Sequence, residues 1–469
     1  MRIKRITIKE YKNIKDFECV FSESNITGFI GKNGSGKSNL LEVVSKAFSN
    51  AKNYAASREL SIIPPHEKPM VLDCRIEYNL RGTNYLLYYN SDVDGLMSRL
   101  FSDMLTVVHE EISISRDGKK LSRKAMDSAL PDSVLLYYAG ETLRQKGIAE
   151  ETYDSYYEVL LKRANSSALP SLRFMDCLSI NDLPLLLLTA AAYKGEYFFK
   201  FLDQIGCTEI RPNYSIILTN PGKGKHPADT FWNATGFVKY FLEDLRRLVS
   251  STRDSGGSQY YMFFDNAEDL QKISENEYDL FAKLKALRHY GFLQHISIIF
   301  RNEENSVFSS LRLSEGEKLL GMLFLLTTFT AKRDCLYLFD EFDAYLHLNW
   351  QRSFSQMVRE SDIQGHLLFT THSPATISML MSDELFIMKN GKVEIPSSEI
   401  YNRALDEIML EQMDVSMRSP EIEKLYDSFK QCIADKNKEG ALLIMHELEN
   451  KLDESDPLFD RMKINLRRI

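Results

Sequence analysis

The chain has 469 residues, 44% of them hydrophobic and 26% charged, a composition that supports a sizeable core and a length that predicts two or three domains. The net charge of −8 argues against a protein whose main task is gripping duplex DNA: Lys223 and Lys225, Arg246 and Arg247, and Arg461 to Arg468 are small clusters that read as solvated surface, although local DNA contact stays open. No apolar stretch is long enough to cross a bilayer, the opening reads as a strand rather than a signal peptide, and six scattered cysteines without a C-x-x-C pair fit reduced thiols in a cytoplasmic protein.

Residues 1–8 place Ile3, Ile6 and Ile8 on one face and predict a strand that pairs with 17–21. The apolar segment 26–30 leads into Gly31-Lys32-Asn33-Gly34-Ser35-Gly36-Lys37-Ser38, and Leu40, Leu41, Val43, Val44 and Ala47 then follow at helical spacing. A G-x-x-x-x-G-K-S loop between strand and helix sets backbone N–H groups around a β-phosphate; its glycines adopt conformations a side chain forbids, and the helix N-terminus favours the anion. Asn33, Gly34, Ser35, Gly36, Lys37 and Ser38 are therefore expected to bind ATP, with Lys37 on the β- and γ-phosphates and Ser38 on Mg²⁺. Two hairpins follow, turning at Arg81-Gly82 and Asp117-Gly118, and 134–138 is a short buried strand. Asp92-Val93-Asp94 falls in a turn and reads as structural. A first lobe of mixed sheet over 1–138 is expected.

Over 139–295 helical patterns dominate (151–163, 185–193, 237–248), divided by loops at 220–224 and 250–258, and no heptad run supports a coiled-coil arm. A mainly helical insertion is expected. The second lobe, 296–398, carries Leu313-Ser314-Glu315-Gly316-Glu317-Lys318, then the apolar run 336–339 ending in Asp340 and Glu341, then the strand 367–370 followed by His372, and a hairpin across Asn390-Gly391. Acids that end a buried strand are costly unless they serve chemistry; Asp340 is expected to hold Mg²⁺ through water and Glu341 to orient the attacking water. Over 399–469 the pattern is a helical tail: Ser419 caps a helix with Pro420 first and Ile422, Leu425, Tyr426, Phe429 and Ile433 on one face, Gly440 ends that turn region, Leu442, Met445, Leu448 and Leu452 mark a second helix, and Asp456-Pro457 starts a third.

In this order the three segments resemble the ATP-binding-cassette (ABC) ATPases, α/β P-loop proteins that act as head-to-tail dimers. The resemblance implies that Ser314, Gly316 and Glu317 meet the γ-phosphate held by the opposite subunit, although Glu315 and Glu317 replace the usual glycine and glutamine. It implies a γ-phosphate sensor at His372 and a dimer contact at Asp343, with His347 spaced behind it. Lys12 and Asn13 resemble N-terminal residues that touch nucleotide, and Gln145 is the one candidate for the lid-loop glutamine. The opening 1–21 and Phe369-Thr370-Thr371-His372-Ser373-Pro374 are similar to the recombination-mediator (RecF) and overcoming-lysogenization-defect (OLD) kinds. Phe231-Trp232-Asn233-Ala234-Thr235-Gly236, the 313–318 segment and the short tail are most like PtuA, the ATPase subunit of Septu anti-phage systems. That likeness implies homo-oligomers beyond a dimer and an HNH nuclease partner (PtuB-like) controlled by nucleotide state. OLD proteins add a Toprim nuclease, but the tail here has no Asp-x-Asp, so no nuclease site of its own is expected. Two other readings stand beside this one: a DNA repair clamp that binds DNA itself, and an AriA-type scaffold that sequesters a toxin effector.

Overall fold

Alternating isoleucines build the first sheet of the computed structural model, which describes residues 1–56, 72–92, 109–139, 157, 160, 166–169, 174–210, 214–222, 227–302, 304–396, 398–411, 419–453 and 456–466. Ile3, Ile6 and Ile8 of β1 (Arg2–Tyr11) are fully buried. β2 (Ile14–Val20) pairs with β1. β3 (Ile26–Ile30) and α1 (Lys37–Ala55) flank the phosphate loop. β4 (Leu72–Leu80), β5 (Thr83–Asp92), β6 (His109–Arg116) and β7 (Lys119–Lys120) complete a six-stranded antiparallel sheet, β2-β1-β4-β5-β6-β7. Both anticipated hairpin turns have two positive φ angles, 52° and 78° at Arg81-Gly82, 51° and 75° at Asp117-Gly118, which match the twist of the flanking strands.

The next strands are β8 (Ser133–Tyr138) and β9 (Met175–Cys177), followed by α2 (Leu183–Tyr193), α3 (Glu196–Gln204), β10 (Cys207–Ile210), β11 (Tyr214–Thr219), α4 (Gly236–Leu248), β12 (Ser251–Ser255), β13 (Gln259–Phe264), α5 (Glu277–His289) and β14 (Leu293–Ser297). Helices 185–193 and 237–248 are found as expected, the expected helix 151–163 lies outside the described residues apart from 157 and 160, and among the described residues helix outweighs strand. The sequence reading missed an antiparallel sheet, β12-β13-β11-β14, inside the insertion. Its strand β12 lies where a loop was expected; all five of its residues are exposed, so no alternating burial is imprinted on the sequence. The expected boundary at 295/296 cuts through β14, and β15 (Ile299–Asn302) pairs back to β10, with β16 (Val307–Ser309) beside it. The second lobe thus shares strands with the insertion.

α6 (Glu315–Phe329), β17 (Cys335–Asp340), α7 (Leu348–Glu360), β18 (His366–Thr370), β19 (Leu385–Lys389) and β20 (Lys392–Glu394) follow. They form, with strands already described, a seven-stranded sheet of order β20-β19-β3-β18-β17-β8-β9, parallel except for β20. Every residue of β3, β17 and β18 is buried, which explains their unbroken apolar runs. Since β3, β18 and β17 are parallel neighbours, their carboxyl ends meet at one edge of the sheet. That edge carries Gly31, Thr371-His372 and Asp340-Glu341.

The chain divides into two compact units, Met1–Asn402 and Arg403–Ile469, four residues beyond the expected boundary at 398/399. The second contains the three expected helices, α8 (Pro420–Ala434), α9 (Lys438–Glu449) and α10 (Pro457–Leu466), around Phe429, Ala441, Leu448 and Met462. Ser419 caps α8 as read. Two details differ. Asn437 caps α9 and accepts the N–H of Gly440, which lies inside the helix, and Leu442 is 50% exposed because Ala441 takes the core position. No helix among the described residues is long and apolar enough to cross a membrane.

Candidate active site

The phosphate loop has the strained backbone its sequence requires. Gly31, Gly34 and Gly36 have φ of 148°, 78° and 109°. A Cβ on Gly31 would lie 2.3 Å from the Met388 carbonyl oxygen, so the loop passes directly against β19. Lys37 is 5% exposed and its ammonium donates to the Gly31 carbonyl at 2.8 Å. Burial holds Lys37 below the usual lysine range, while the nearby Glu341 and Asp340 carboxylates oppose that shift. The lysine expected to grip phosphate therefore faces both acids.

Asp340 is 1% exposed, and burial pushes its carboxyl above the usual carboxylate range, although the Thr370 hydroxyl that donates to it and the nearby Ser38 hydroxyl oppose that shift. Ser38 and Asp340, the pair expected to share Mg²⁺, thus lie near one another. Glu341 opens outward, with its side chain 40% exposed and its backbone in the left-handed region at φ 50°. His372 Nε2 lies 3.9 Å from Glu341 Oε1, too far for a hydrogen bond. Burial and the Lys37 charge lower the His372 pKa. Two buried polar atoms at this edge, Ser35 Oγ and His372 Nε2, have no hydrogen-bond partner. Positive-φ glycines, a buried lysine, a hydroxyl–carboxylate pair and two orphaned polar atoms fit a nucleoside triphosphate with Mg²⁺.

Other expected residues fall in different places. Asn13 joins the site: its amide donates to the Gly34 carbonyl at 2.6 Å and its carbonyl accepts from Asn39 at 2.7 Å. Lys12 pairs with the buried Glu42 of α1 and braces the first helix. Asp343 is 3% exposed and accepts the Thr371 and Thr376 hydroxyls, so within one chain it ties the turn after β17 to the His372 loop. Its buried carboxyl is pushed up by desolvation against those two donors. His347 caps α7 through Nδ1.

The 313–318 segment is positioned by a different set of neighbours. Ser314 is exposed and caps α6, and a Cβ on Gly316 would lie 3.0 Å from both Trp350 and the Tyr345 carbonyl. Glu317 accepts the Ser314 N–H at 2.6 Å while the Ser314 hydroxyl accepts the Glu317 N–H at 3.2 Å. The Glu317 carboxylate thus serves its own helix cap. Arg246 donates to the Asp229 carbonyl and Arg247 pairs with Asp244, which satisfies that basic cluster within the fold. Gln145, Lys223, Lys225 and Asp94 lie outside the described residues.

Sequence reasoning missed two supports. Gly391, in the turn between β19 and β20, donates its N–H to the Ser35 carbonyl at 3.1 Å and leaves no room for a Cβ, 2.5 Å from the Asn13 carbonyl. Gln351 of α7 donates to the Asp343 and Leu346 carbonyls and accepts from Ser373, cross-linking the two loops that follow β17 and β18. The hydroxyls beside His372 were the available signal for this network.

Among known proteins, Retron Ec83 probable ATPase of Escherichia coli is 22% identical over 489 aligned residues, covering 95% of this chain and 84% of that protein. Retron Vc95 probable ATPase of Vibrio cholerae is 22% identical over 430 residues, covering 83% and 73%. DNA replication and repair protein RecF of Leptospira biflexa is 26% identical over 183 residues, covering 36% and 45%. The RecF/RecN/SMC N-terminal domain family matches residues 2–394, a span that holds the phosphate loop, the acidic pair and His372, and the chain belongs to that family.

Proposed function

We propose that this chain is the ATP-binding and ATP-hydrolysing subunit of a bacterial anti-phage defence complex of the PtuA kind, in which ATP-sandwich dimers and larger assemblies hold and regulate an HNH nuclease. The observation that carries the ATPase reading is the meeting of Lys37, the Ser38–Asp340 pair and Glu341 at one sheet edge. Ser38 and Asp340 would hold Mg²⁺, which would supply charge neutralisation for the phosphates. Lys37 binds the β- and γ-phosphates, Glu341 orients and accepts a proton from water at its exposed carboxylate, and His372 Nε2 is free to donate to the γ-phosphate. Ser314 and Gly316 act on nucleotide bound by a second copy.

Alignment to the two retron ATPases runs through the insertion and most of the chain, whereas alignment to RecF covers 36% of it, which favours the defence reading over the repair clamp. The net charge of −8 points the same way. The test is to express the chain with its native gene neighbours and weigh the intact complexes with and without ATP and Mg²⁺. A stoichiometric complex with an HNH protein supports the proposal; a different toxic effector moves it to the sequestering scaffold. A chain that only dimerises with ATP and binds DNA alone overturns it in favour of the clamp.

A further inference from the structure

Thr370 is the last residue of β18 and is fully buried. Its single hydroxyl makes two bonds to the neighbouring strand end: the O–H donates to Asp340 Oδ1, and the oxygen accepts the Glu341 N–H at 2.9 Å. A hydroxyl carries one donor and two acceptor sites, so it can hold both partners at once; an aliphatic side chain can hold neither. The partners are the two acids on which the chemistry of this edge depends. Glu341 stands in the left-handed region at φ 50°, where a residue with a side chain persists only if its surroundings fix it. The Glu341 N–H bond is a direct restraint on that peptide. The bond to Asp340 fixes the rotation of a carboxylate that also lies near the Ser38 hydroxyl.

We infer that Thr370 is a positioning residue for ATP hydrolysis, its hydroxyl setting the Asp340 carboxylate and the Glu341 backbone in register with one another. The inference rests on the ATPase reading above. It differs from a general packing role, because β18 stays in the sheet through its backbone pairing to β3 and β17 whether or not the hydroxyl is present. Thr371, the next residue, donates to Asp343, so consecutive hydroxyls hold the turn after β17 at two points, directly before His372.

The test compares the parent with Thr370→Val and Thr370→Ser, measuring turnover at saturating ATP and Mg²⁺, affinity for a fluorescent ATP analogue, and the thermal unfolding midpoint. Thr370→Val is expected to lower kcat by about tenfold or more, with nucleotide affinity held within about threefold, and Thr370→Ser to recover most of the rate. If Thr370→Val gives too little folded protein, Thr370→Ala removes the hydroxyl without adding bulk and serves the same comparison. Parent-level turnover in the hydroxyl-free variants overturns the inference while leaving the ATPase reading intact. So does a rate that falls only in step with affinity and is not recovered by serine. A parent that hydrolyses no ATP overturns the ATPase reading, and this inference with it.

Discussion

The carboxyl edge of β3, β18 and β17 and the N-terminus of α6 are satisfied in opposite ways. At the sheet edge the polar groups are held by other segments of the chain: Asn13 on Gly34, Thr370 on Asp340, Thr371 and Thr376 on Asp343, Gln351 across both loops. At α6 the polar contacts of Ser314 stay within its own first turn, through Glu317. The segments flanking it expose Leu311 (61%), Tyr345 (58%) and Leu348 (51%). One half is preorganised from within; the other is a rigid cap aimed outward. That is the division expected when each nucleotide is enclosed by the phosphate loop of one copy and the capped helix of another.

The comparison breaks most visibly at Lys37. Lys37→Ala removes the buried ammonium of the phosphate cradle, and affinity for ATP should fall by roughly two orders of magnitude or more, read with a fluorescent analogue. Retained affinity would mean that the sheet edge is not where nucleotide binds. Glu341→Gln keeps shape and removes the base. Turnover should drop by about a hundredfold to a thousandfold while ATP stays bound, and closed dimers should accumulate in mass measurements. Hydrolysis at the parent rate would discard Glu341 as the base. Ser314→Arg puts a bulky cation at the exposed cap. Analogue binding by the isolated chain should change by less than about threefold, but ATP-dependent dimers should be lost. Unchanged dimerisation would dissolve the contrast between the two regions.

Much of the inward half was legible because its signals are local. G-x-x-x-x-G-K-S forces a particular backbone, and an apolar strand that stops at Asp340-Glu341 advertises buried acids. Thr370 and Gln351 carried no such signal, since their value depends on strands β17 and β18 being neighbours, which periodicity does not reveal. The ties on Asp343 were hidden for the same reason: Thr371 and Thr376 are brought over it from a segment about thirty residues on. At α6 the local signal was in the sequence, since Ser314-x-x-Glu317 spells the capping box that the structure forms. In the insertion, helices with an apolar face were read correctly, while the exposed edge strand β12 left no pattern to read.

The smallest expected effect asks whether the inward half is as tightly built as its hydrogen bonds suggest. His366 opens β18, is fully buried, accepts the Ile3 N–H at Nδ1 (3.1 Å) and faces Thr27 Oγ1 through Nε2 (3.1 Å), so one ring links β1, β3 and β18. With Nδ1 accepting, Nε2 carries the proton and donates to Thr27, and the ring must be neutral. Desolvation, the Arg2 charge and the N-terminal ammonium lower its pKa from 6.5 to about 3. A histidine depressed in the folded state stabilises the fold fully above its unfolded pKa, and that contribution is lost as pH falls, because the unfolded chain takes up a proton that the native ring refuses. Between pH 6.5 and about 3, His366 should therefore remove about 1.4 kcal/mol of stability per pH unit. Urea unfolding of the nucleotide-binding unit, followed from pH 7 down to about pH 5, should show that slope in the parent and a slope shallower by about one proton in His366→Gln. Equal slopes would mean that the ring titrates freely in the native state and that water reaches the junction of the three strands. The sheet edge would then owe its order to the loops that cross it rather than to the strands beneath.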